Sequence, residues 1–477
     1  MRTFAGPQIG AAVRATPCPS WMKVEVYERI ASRAAGSWQR LRPAARAAGL
    51  LAGGWSILAG PGTAHAQIID QYFPTNVPGY ENVLSRPRPE YAPTGVRVGS
   101  FDLFPELDEA IGYDNNILGR SSGAISSPLL NTRAALSANS DWSRNSVGAN
   151  LSVDDTRYFD QPNQSYTNWT ASLGGTLDIG RDQLTGSYSH LSLHQLGSDI
   201  DNGGITTPVP YTVDNVRVGY RTQFGRISLV PSFTFSAFNF SNTSNSNVDE
   251  KLNNRDSYVG ELVTEYELAD KRNLLLVVRS GTNQYATPTP QGPNDVGFSV
   301  LAGIDYTANA VFRYRALAGY SYRSYSSSIV SSRSAPVFEA SAIWTPTGLT
   351  TVTGTASRRI EDALSAGVIA FTYNEARLTV DHELRRNVLL EALGSIQYAE
   401  YSNGGGNQTI GIVGGSAQWL LNRKVQLSLS DYLTIGNNGS SGTVTTTTTG
   451  SGQTVVTSFG SGSYTRNIVL LTLRLRL

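Results

Sequence analysis

Histidines beside carboxylates are the first residues whose types and spacing suggest chemistry. His382 lies between Asp381 and Glu383, as in a fragment of a Ser-His-Asp triad, but no G-x-S-x-G motif supplies a nucleophile. His190 and His194 are four residues apart, which in a strand puts them on one face but roughly 13 Å apart, too far to hold one metal ion. The chain also lacks a P-loop, a dinucleotide fingerprint and EF-hand spacing. We therefore predict no enzymatic activity, no cofactor and no metal site, and we place His382 in a hydrogen-bonded turn.

Charged side chains recur at alternate positions of several segments, and these are the stronger candidates for function. Successive side chains of a strand point to opposite faces, so such charges share one face. If that face lines a lumen, the charges either pair across neighbouring strands and stiffen the wall, or form a transverse field that selects solutes. Both interpretations are compatible with the sequence. The predicted pore-lining residues are Arg217, Arg221, Glu261, Glu265, Arg313, Arg315, Arg323, Glu375, Arg377, Arg474 and Arg476.

The elements that must position these charges are alternating strands. The last ten residues, 468–477, read I-V-L-L-T-L-R-L-R-L, so that one face is an unbroken apolar ladder and the other turns basic. Comparable alternation runs through most of the chain from Gly99 onward, and no helical period competes with it. An apolar ladder in the closing strand is typical of a barrel that faces lipid outside and a polar lumen inside. The sequence therefore predicts an all-β fold, a transmembrane antiparallel up-and-down β-barrel.

The connections between the strands alternate in length. Short turns, such as those around Gly180, Gly225 and Lys271, are separated by longer polar stretches, such as residues 196–211 and 437–460. Short periplasmic turns and longer outer loops are the expected asymmetry of an outer-membrane barrel. Following the alternation through the chain predicts about 18 strands, with roughly 16–20 as the range, which is wide enough for an aqueous channel.

Composition agrees with this fold. Charged residues make up only 16 % of the chain, against roughly 25 % in soluble domains. No apolar run after residue 66 approaches the length of a membrane helix. A membrane barrel does not need such a run, because only every second residue of its strands meets lipid. No basic patch indicates nucleic acid.

The N-terminal region divides into two further segments. Residues 1–66 are predicted to be a cleavable export signal, with an arginine-rich start, an apolar stretch over 47–59 and the A-x-A site Ala64-His65-Ala66; translation begins at Met1 or Met22. The only cysteine, Cys18, falls within it. Residues 67–97 are rich in proline and form either a periplasmic lead-in or a partial plug. Residues 98–477 form the barrel.

Aromatic residues at predicted strand ends suggest membrane-interface girdles. Ordinary β-propensity is the alternative explanation, because strands favour aromatic residues in any case. Trp142, Trp344 and Trp419 lie beside short turns and are expected in the inner girdle. The residues expected in the outer girdle are Tyr158, Phe159, Tyr320, Tyr322, Tyr325, Tyr398 and Tyr401.

Several short motifs resemble a known family. Tyr72-Phe73-Pro74, Arg86-Pro87-Arg88-Pro89-Glu90, Gly112-Tyr113-Asp114-Asn115-Asn116, Trp344-Thr345-Pro346-Thr347 and Asp381-His382-Glu383-Leu384-Arg385-Arg386-Asn387 are similar to segments of bacterial outer-membrane β-barrel proteins of the putative porin type. The resemblance covers nearly all of residues 67–477. It implies the outer membrane of a Gram-negative bacterium and an association with exopolysaccharide production. In these barrels the last residue is usually aromatic, whereas this chain ends in Leu477.

We therefore predict an outer-membrane channel, a porin that exports exopolysaccharide or passes polar solutes. The alternatives are a non-conducting structural or adhesive barrel and an outer-membrane hydrolase. The expected partners are outer-membrane lipid, the outer-membrane assembly machinery and, where a polysaccharide is the cargo, that polymer and its export machinery; nucleic acid is not expected. The sequence leaves the identity of the solute, the direction of transport, the oligomeric state and the opening of the lumen undecided.

Overall fold

The computed structural model describes most of the predicted barrel. The described residues are 82–201, 205–243, 249–288, 293–309, 311–327, 330–363, 370–401, 406–438, 443–447, 454–458 and 462–477. The predicted export signal and the first part of the predicted lead-in, through residue 81, lie outside the described residues.

Antiparallel strands account for almost all of the described chain. Each strand from β2 to β18 pairs with its neighbours in sequence, and the last strand, β21, pairs with both β18 and β2. This last pairing closes an 18-strand up-and-down barrel, so the predicted fold class and strand number are confirmed. The strands are β1 Val96–Val98, β2 Phe101–Asp114, β3 Ser127–Ser140, β4 Ser146–Tyr158, β5 Tyr166–Ile179, β6 Asp182–Gln195, β7 Val209–Phe224, β8 Ile227–Phe240, β9 Arg255–Ala269, β10 Arg272–Tyr285, β11 Asp295–Thr307, β12 Phe312–Tyr325, β13 Arg333–Thr347, β14 Thr350–Asp362, β15 Ala370–Arg385, β16 Val388–Tyr401, β17 Asn407–Leu420, β18 Val425–Asn438, β19 Thr443–Thr447, β20 Thr454–Ser458 and β21 Gly462–Arg476.

Three small strands stand outside the barrel ring. β1 pairs with Phe101–Leu103 at the start of β2, whereas β21 pairs with the later residues Glu106–Asp114 of the same strand. β19 pairs with β20 in the connection between β18 and β21. Two 3₁₀ helices, Pro162–Gln164 and Glu250–Asn253, interrupt longer connections. No helix in the described part of the chain is long and apolar enough to cross a membrane.

Tight turns alternate with longer connections around the barrel. Gly180 and Gly225 take positive φ angles of 65° and 60° in the turns after β5 and β7, and Lys271 does so in the turn after β9, with φ at 61°. Positive φ at a tight hairpin matches the right-handed twist of the flanking strands, and glycine adopts it without steric cost. The short turns therefore gather at one end of the barrel and the longer connections at the other, as the sequence predicts.

The two faces of the wall differ as the alternation predicts. On β21, Val469, Leu471, Leu473 and Leu475 are each 37–41 % exposed, whereas Arg466 and Thr472, on the opposite face, are buried. The exposed apolar side chains form the outward surface that lipid covers.

Two glycines let the backbones of β11 and β12 approach closely. A Cβ on Gly319 would lie 1.8 Å from the Val300 carbonyl oxygen, and one on Gly303 would lie 1.8 Å from the Ala316 carbonyl oxygen. On the inner face, Arg279 of β10 contacts Glu339 of β13 across the two strands that separate them.

The close approach of β11 and β12 yields a prediction about stability. Gly319→Ala forces a methyl group into the backbone of β11, and overpacking of this kind costs about 1–3 kcal/mol or more. We expect a clear drop in the urea midpoint of the folded barrel, measured by its heat-modifiable migration on gels. Gly394→Ala is the matched control, because a Cβ on Gly394 meets no atom within 4 Å. Equal midpoints for the two variants would contradict the close approach at Gly319.

Candidate functional site

The inner face of the barrel holds all of the charges predicted to line a pore. The strand register places Arg217, Arg221, Glu261, Glu265, Arg313, Arg315, Arg323, Glu375, Arg377, Arg474 and Arg476 on this face. Their role in permeation stays a prediction.

Most of these charges contact an opposite charge on a nearby strand. Arg221 binds Glu265 at 3.0 Å, and Arg217 approaches Glu261 at 3.8 Å. Arg313 binds Asp305 at 3.1 Å. These contacts fit the first interpretation of the sequence, in which paired charges stiffen the wall.

Two further arginines continue this pairing towards the ends of the barrel. Arg323 contacts both Asp295, at 3.6 Å, and Asp362. Arg474 binds Asp108 at 2.7 Å.

Four of the predicted residues differ, because they form no salt bridge within the described part of the chain: Arg315, Glu375, Arg377 and Arg476, the last of which donates to the Tyr91 carbonyl. Arg315 acts electrostatically on Glu339, and Arg377 acts on Glu391, without a direct contact. Glu375 and Arg377 follow one another on the inner face of β15, both half-buried. These side chains keep part of their charge available to a solute, which fits the second interpretation.

Sequence reasoning missed two arginines that organise this face. Arg279 lies between two carboxylates, at 2.5 Å from Glu261 and in contact with Glu339. Arg466 binds Asp114 at 2.6 Å, with both side chains almost completely buried. The signal for Arg466 was present, because it shares the even-numbered face of β21 with Arg474 and Arg476.

A segment of the connection between β6 and β7 folds into the barrel. This inward segment, residues 195–201, is almost entirely buried: Ser198, Asp199, Ile200 and Asp201 are only 1–3 % exposed. Ser198 Oγ accepts a hydrogen bond of 2.6 Å from Arg466 Nη1 on β21. The Asp201 N–H donates to Gln408 Oε1 on β17 at 2.9 Å. The inward segment is therefore attached to the wall by side chains from two distant strands.

Ile200 carries the inward segment to the far wall. It packs in an apolar cluster with Phe371 and Tyr373 of β15 and with Tyr401 of β16. β6 and β15 lie on opposite sides of the strand ring, so the inward segment crosses the lumen near its outer end.

A second segment lies against the inner face at the periplasmic end. Val83 is fully buried, and its N–H donates to Thr351 Oγ1 at 3.2 Å. Arg88 binds Glu383 of β15 at 2.7 Å, and Arg476 Nη2 donates to the Tyr91 carbonyl at 3.0 Å. The described part of the proline-rich segment thus contacts the wall, and the choice between lead-in and plug stays open as a proposal.

Three histidines each contact a polar side chain on a neighbouring strand. His382 lies on β15, where its Nδ1 is 3.0 Å from Thr350 Oγ1 on β14. His190 Nδ1 is 2.8 Å from Asp214, and His194 Nδ1 is 2.9 Å from Asn168. No group of three potential metal ligands occurs among the described residues.

Some of the aromatic residues expected in the girdles lie on the outer face, where the girdles stay a prediction, and others do not. Trp142, Trp344 and Trp419 are 47–49 % exposed, and Phe159 is 61 % exposed. Tyr158 and Tyr401, however, are buried in the lumen, because their strand positions fall on the inner face. Tyr158 donates to Asp114 Oδ2 at 3.2 Å.

Burial changes the acidity of one residue of the inward segment. Asp199, in the connection outside the strands, has its pKa raised well above the ordinary value because it is removed from water. Its Oδ2 still accepts the Leu196 N–H at 2.8 Å, and the charge of Arg466 opposes the shift.

The Arg466–Asp114 ion pair predicts a large loss of stability when one partner is neutralised. Asp114→Asn leaves a buried arginine without its counter-charge, which costs about 3–5 kcal/mol. The urea midpoint of the barrel measures this loss. Asp141→Asn is the same change in the pair of Asp141 with Arg97, whose side chains are 53 % and 60 % exposed, and we expect a far smaller loss there because water screens an exposed pair. Similar losses in both variants would contradict the assignment.

Asp199 predicts a pH dependence. Because its pKa is higher in the folded state than in the unfolded state, its contribution to stability is complete at acid pH and is lost as the pH rises through the folded-state pKa. The difference in urea midpoint between Asp199→Asn and the parent should therefore grow in favour of the variant as the pH is raised from 4 to 8 (roughly the span above the ordinary carboxyl pKa). A difference that stays constant over this span would argue against the shift.

Comparison with known proteins agrees with the fold. The model of the family described as Putative beta-barrel porin 2 matches residues 88–451. A comparison with curated proteins finds no match.

A comparison with solved structures finds matches at low sequence identity. A BenF-like porin from Pseudomonas fluorescens Pf-5 has 8 % identity and a TM-score of 0.44, with 80 % of this chain and 100 % of that chain covered. OccAB3 from Acinetobacter baumannii has 6 % identity and a TM-score of 0.43, with the same coverage. The FrpB iron transporter from Neisseria meningitidis (F5-1 variant) has 7 % identity and a TM-score of 0.41, covering 79 % of this chain and 82 % of that chain. With the family match over most of its length, the chain belongs to the Putative beta-barrel porin 2 family and is an outer-membrane β-barrel channel.

Proposed function

We propose that the protein is a porin of the Gram-negative outer membrane that passes polar solutes, with an acidic exopolysaccharide as the cargo that its inner face fits best. The observation that carries this proposal is the pair Arg315 and Arg377. Both face the lumen without a salt bridge in the described part of the chain, while most other arginines of that face are neutralised. Unpaired cations on an inner wall attract anionic solutes.

The mechanism needs only the wall and the segments inside it. Paired charges such as Arg279 with Glu261 and Glu339 hold the wall in shape. Arg315 and Arg377 supply a positive potential that water only partly screens. The exposed apolar face contacts membrane lipid. We propose that the assembly machinery recognises β21, the last strand of the barrel. The export machinery of the polymer would dock at the periplasmic rim.

A non-conducting barrel is the second candidate, and a specific observation favours it. The inward segment enters the lumen near the outer end, and the residues around Arg88 contact the wall at the periplasmic end. If both contacts persist in the membrane, the protein is a plugged, structural barrel. No contact of His382 favours a hydrolase, since this side chain bonds to Thr350 on the neighbouring strand.

Single-channel recording of the protein in a planar bilayer tests the proposal. We expect steady conductance that an acidic exopolysaccharide blocks, whereas a general porin would conduct without such block. A folded barrel that remains silent under all voltages would favour the structural candidate.

Ion selectivity gives a second, residue-specific test. Arg315→Glu and Arg377→Glu each reverse a charge on the inner face, so the reversal potential in a KCl gradient should shift towards that of potassium in both variants. Arg226→Glu is the control, since Arg226 lies exposed in the turn between β7 and β8, and a much smaller shift is expected. Unchanged reversal potentials in the two inner-face variants would remove these arginines from the permeation path.

A further inference from the structure

Four aromatic side chains line the inner face where the inward segment meets the far wall. This aromatic strip consists of Phe371 and Tyr373 of β15, Tyr401 of β16 and Tyr432 of β18, and each residue is at most 7 % exposed. The ring of Phe371 lies 5.4 Å from that of Tyr401 and 6.2 Å from that of Tyr373. An aromatic strip on the polar side of a membrane barrel needs an explanation, because the alternation there predicts polar residues.

The inward segment packs against the aromatic strip at its outer end. Ile200 belongs to the same buried cluster as all four rings. Gln408 holds the two together, since its Oε1 accepts from the Asp201 N–H at 2.9 Å and from the Tyr401 hydroxyl at 3.1 Å. Asp201 has a φ of 58°, a left-handed conformation that L-residues rarely adopt and that adds to the cost of this arrangement.

The barrel wall does not need the inward segment for its own hydrogen bonds. β15, β16, β17 and β18 are paired along their lengths with one another. The contacts of the inward segment with the wall include the side-chain bonds of Ser198 with Arg466 and of Asp201 with Gln408, and the packing of Ile200. A ligand that replaces the Ile200 contact can therefore displace the segment without opening the barrel.

The residues next to the aromatic strip indicate what such a ligand would be. On the inner face of β15, Phe371 and Tyr373 are followed towards the periplasm by Glu375 and Arg377. Tyr432 lies near enough to Arg377 to feel its charge. Aromatic faces bind the apolar faces of rigid rings, tyrosine hydroxyls and Glu375 bond to hydroxyl groups, and Arg377 binds a carboxylate. A chain of pyranose rings that carry carboxylates has all three features.

We propose that the aromatic strip is a binding site for the sugar rings of a uronic-acid polymer, and that the inward segment occupies this site until the polymer displaces it. The proposal rests on the proposed channel function and names its substrate class and the element that regulates access. While the inward segment occupies the strip, a molecule cannot bind the polymer. The apparent affinity for the polymer is therefore the intrinsic affinity multiplied by the fraction of molecules in which the strip is free.

Block of single-channel current by hexagalacturonate tests the site. Ile200→Ser removes the apolar contact of the inward segment, so the concentration for half-block should fall by about tenfold relative to the parent as the free fraction rises. Adding Tyr432→Leu to Ile200→Ser should raise that concentration on the order of threefold to tenfold by loss of one stacking face. Maltohexaose, which lacks carboxylates, should block more weakly than hexagalacturonate in every variant.

Tyr211→Leu in the Ile200→Ser background is the matched control. Tyr211 is also a buried inner-face tyrosine, but it lies on β7 and stacks on Phe240 at 5.0 Å. It should leave the half-block concentration unchanged. Two outcomes would overturn the site while the channel function stands. In the first, Tyr211→Leu weakens block as much as Tyr432→Leu does. In the second, Ile200→Ser conducts but is blocked by hexagalacturonate no better than the parent. If neither the parent nor Ile200→Ser conducts although both are folded, the channel function itself fails.

A reversible crosslink provides a test that leaves Ile200 in place. A Cβ on Gly197 would lie 3.6 Å from the Leu118 Cα, close enough for a disulfide after a small adjustment. The only native cysteine is Cys18, in the predicted export signal. In Leu118→Cys/Gly197→Cys, oxidation should abolish block by hexagalacturonate and reduction should restore it in the same membrane. Block that is equally strong in the oxidised and the reduced protein would overturn the role of the inward segment.

Discussion

The ion pair between Asp114 and Arg466 joins the first and last strands of the barrel. A sheet in lipid cannot leave an edge unpaired, so the pairing of β2 with β21 is the condition on which every other strand depends. Arg466 also donates to Ser198, so the same guanidinium that lies in the closing seam holds the inward segment. Barrel closure and the narrowing of the outer end therefore share one side chain, Arg466.

Pairing of charges divides the inner wall into two regions. From β7 to β13, most arginines, such as Arg221 and Arg279, are neutralised by carboxylates on nearby strands, and Arg315 of β12 is the exception. Such pairs add rigidity but leave little field in the lumen. On β15 the charges of Glu375 and Arg377 are half-buried and form no salt bridge in the described residues. The charge that we propose to act on a solute therefore lies on Arg315 and on β15.

The period of two in the sequence was enough to predict the fold, the strand number and the face of every predicted charge. It was not enough to predict partners across the lumen, because these depend on how the wall bends and on which connection turns inward. Nothing in the alternation links Arg279 to Glu339 or Ser198 to Arg466. Tyr401 was assigned to the outer girdle because aromatic residues at strand ends are common there. The alternation of side chains along β16 instead places Tyr401 on the inner face, opposite Phe371. Assigning it to the outer girdle hides the aromatic strip.

β15 is the strand on which the two enclosed segments converge. At its outer end Ile200 packs on Phe371 and Tyr373, and at its periplasmic end Arg88 binds Glu383. The first contact is apolar and uncharged, so the ring faces of the proposed polymer would compete for it. The second is an ion pair whose side chains are 7 % and 13 % exposed, so a competing charge, and not an apolar surface, would displace it. Because the two ends of β15 differ in this way, the proposed polymer would meet a different barrier at each end of the barrel.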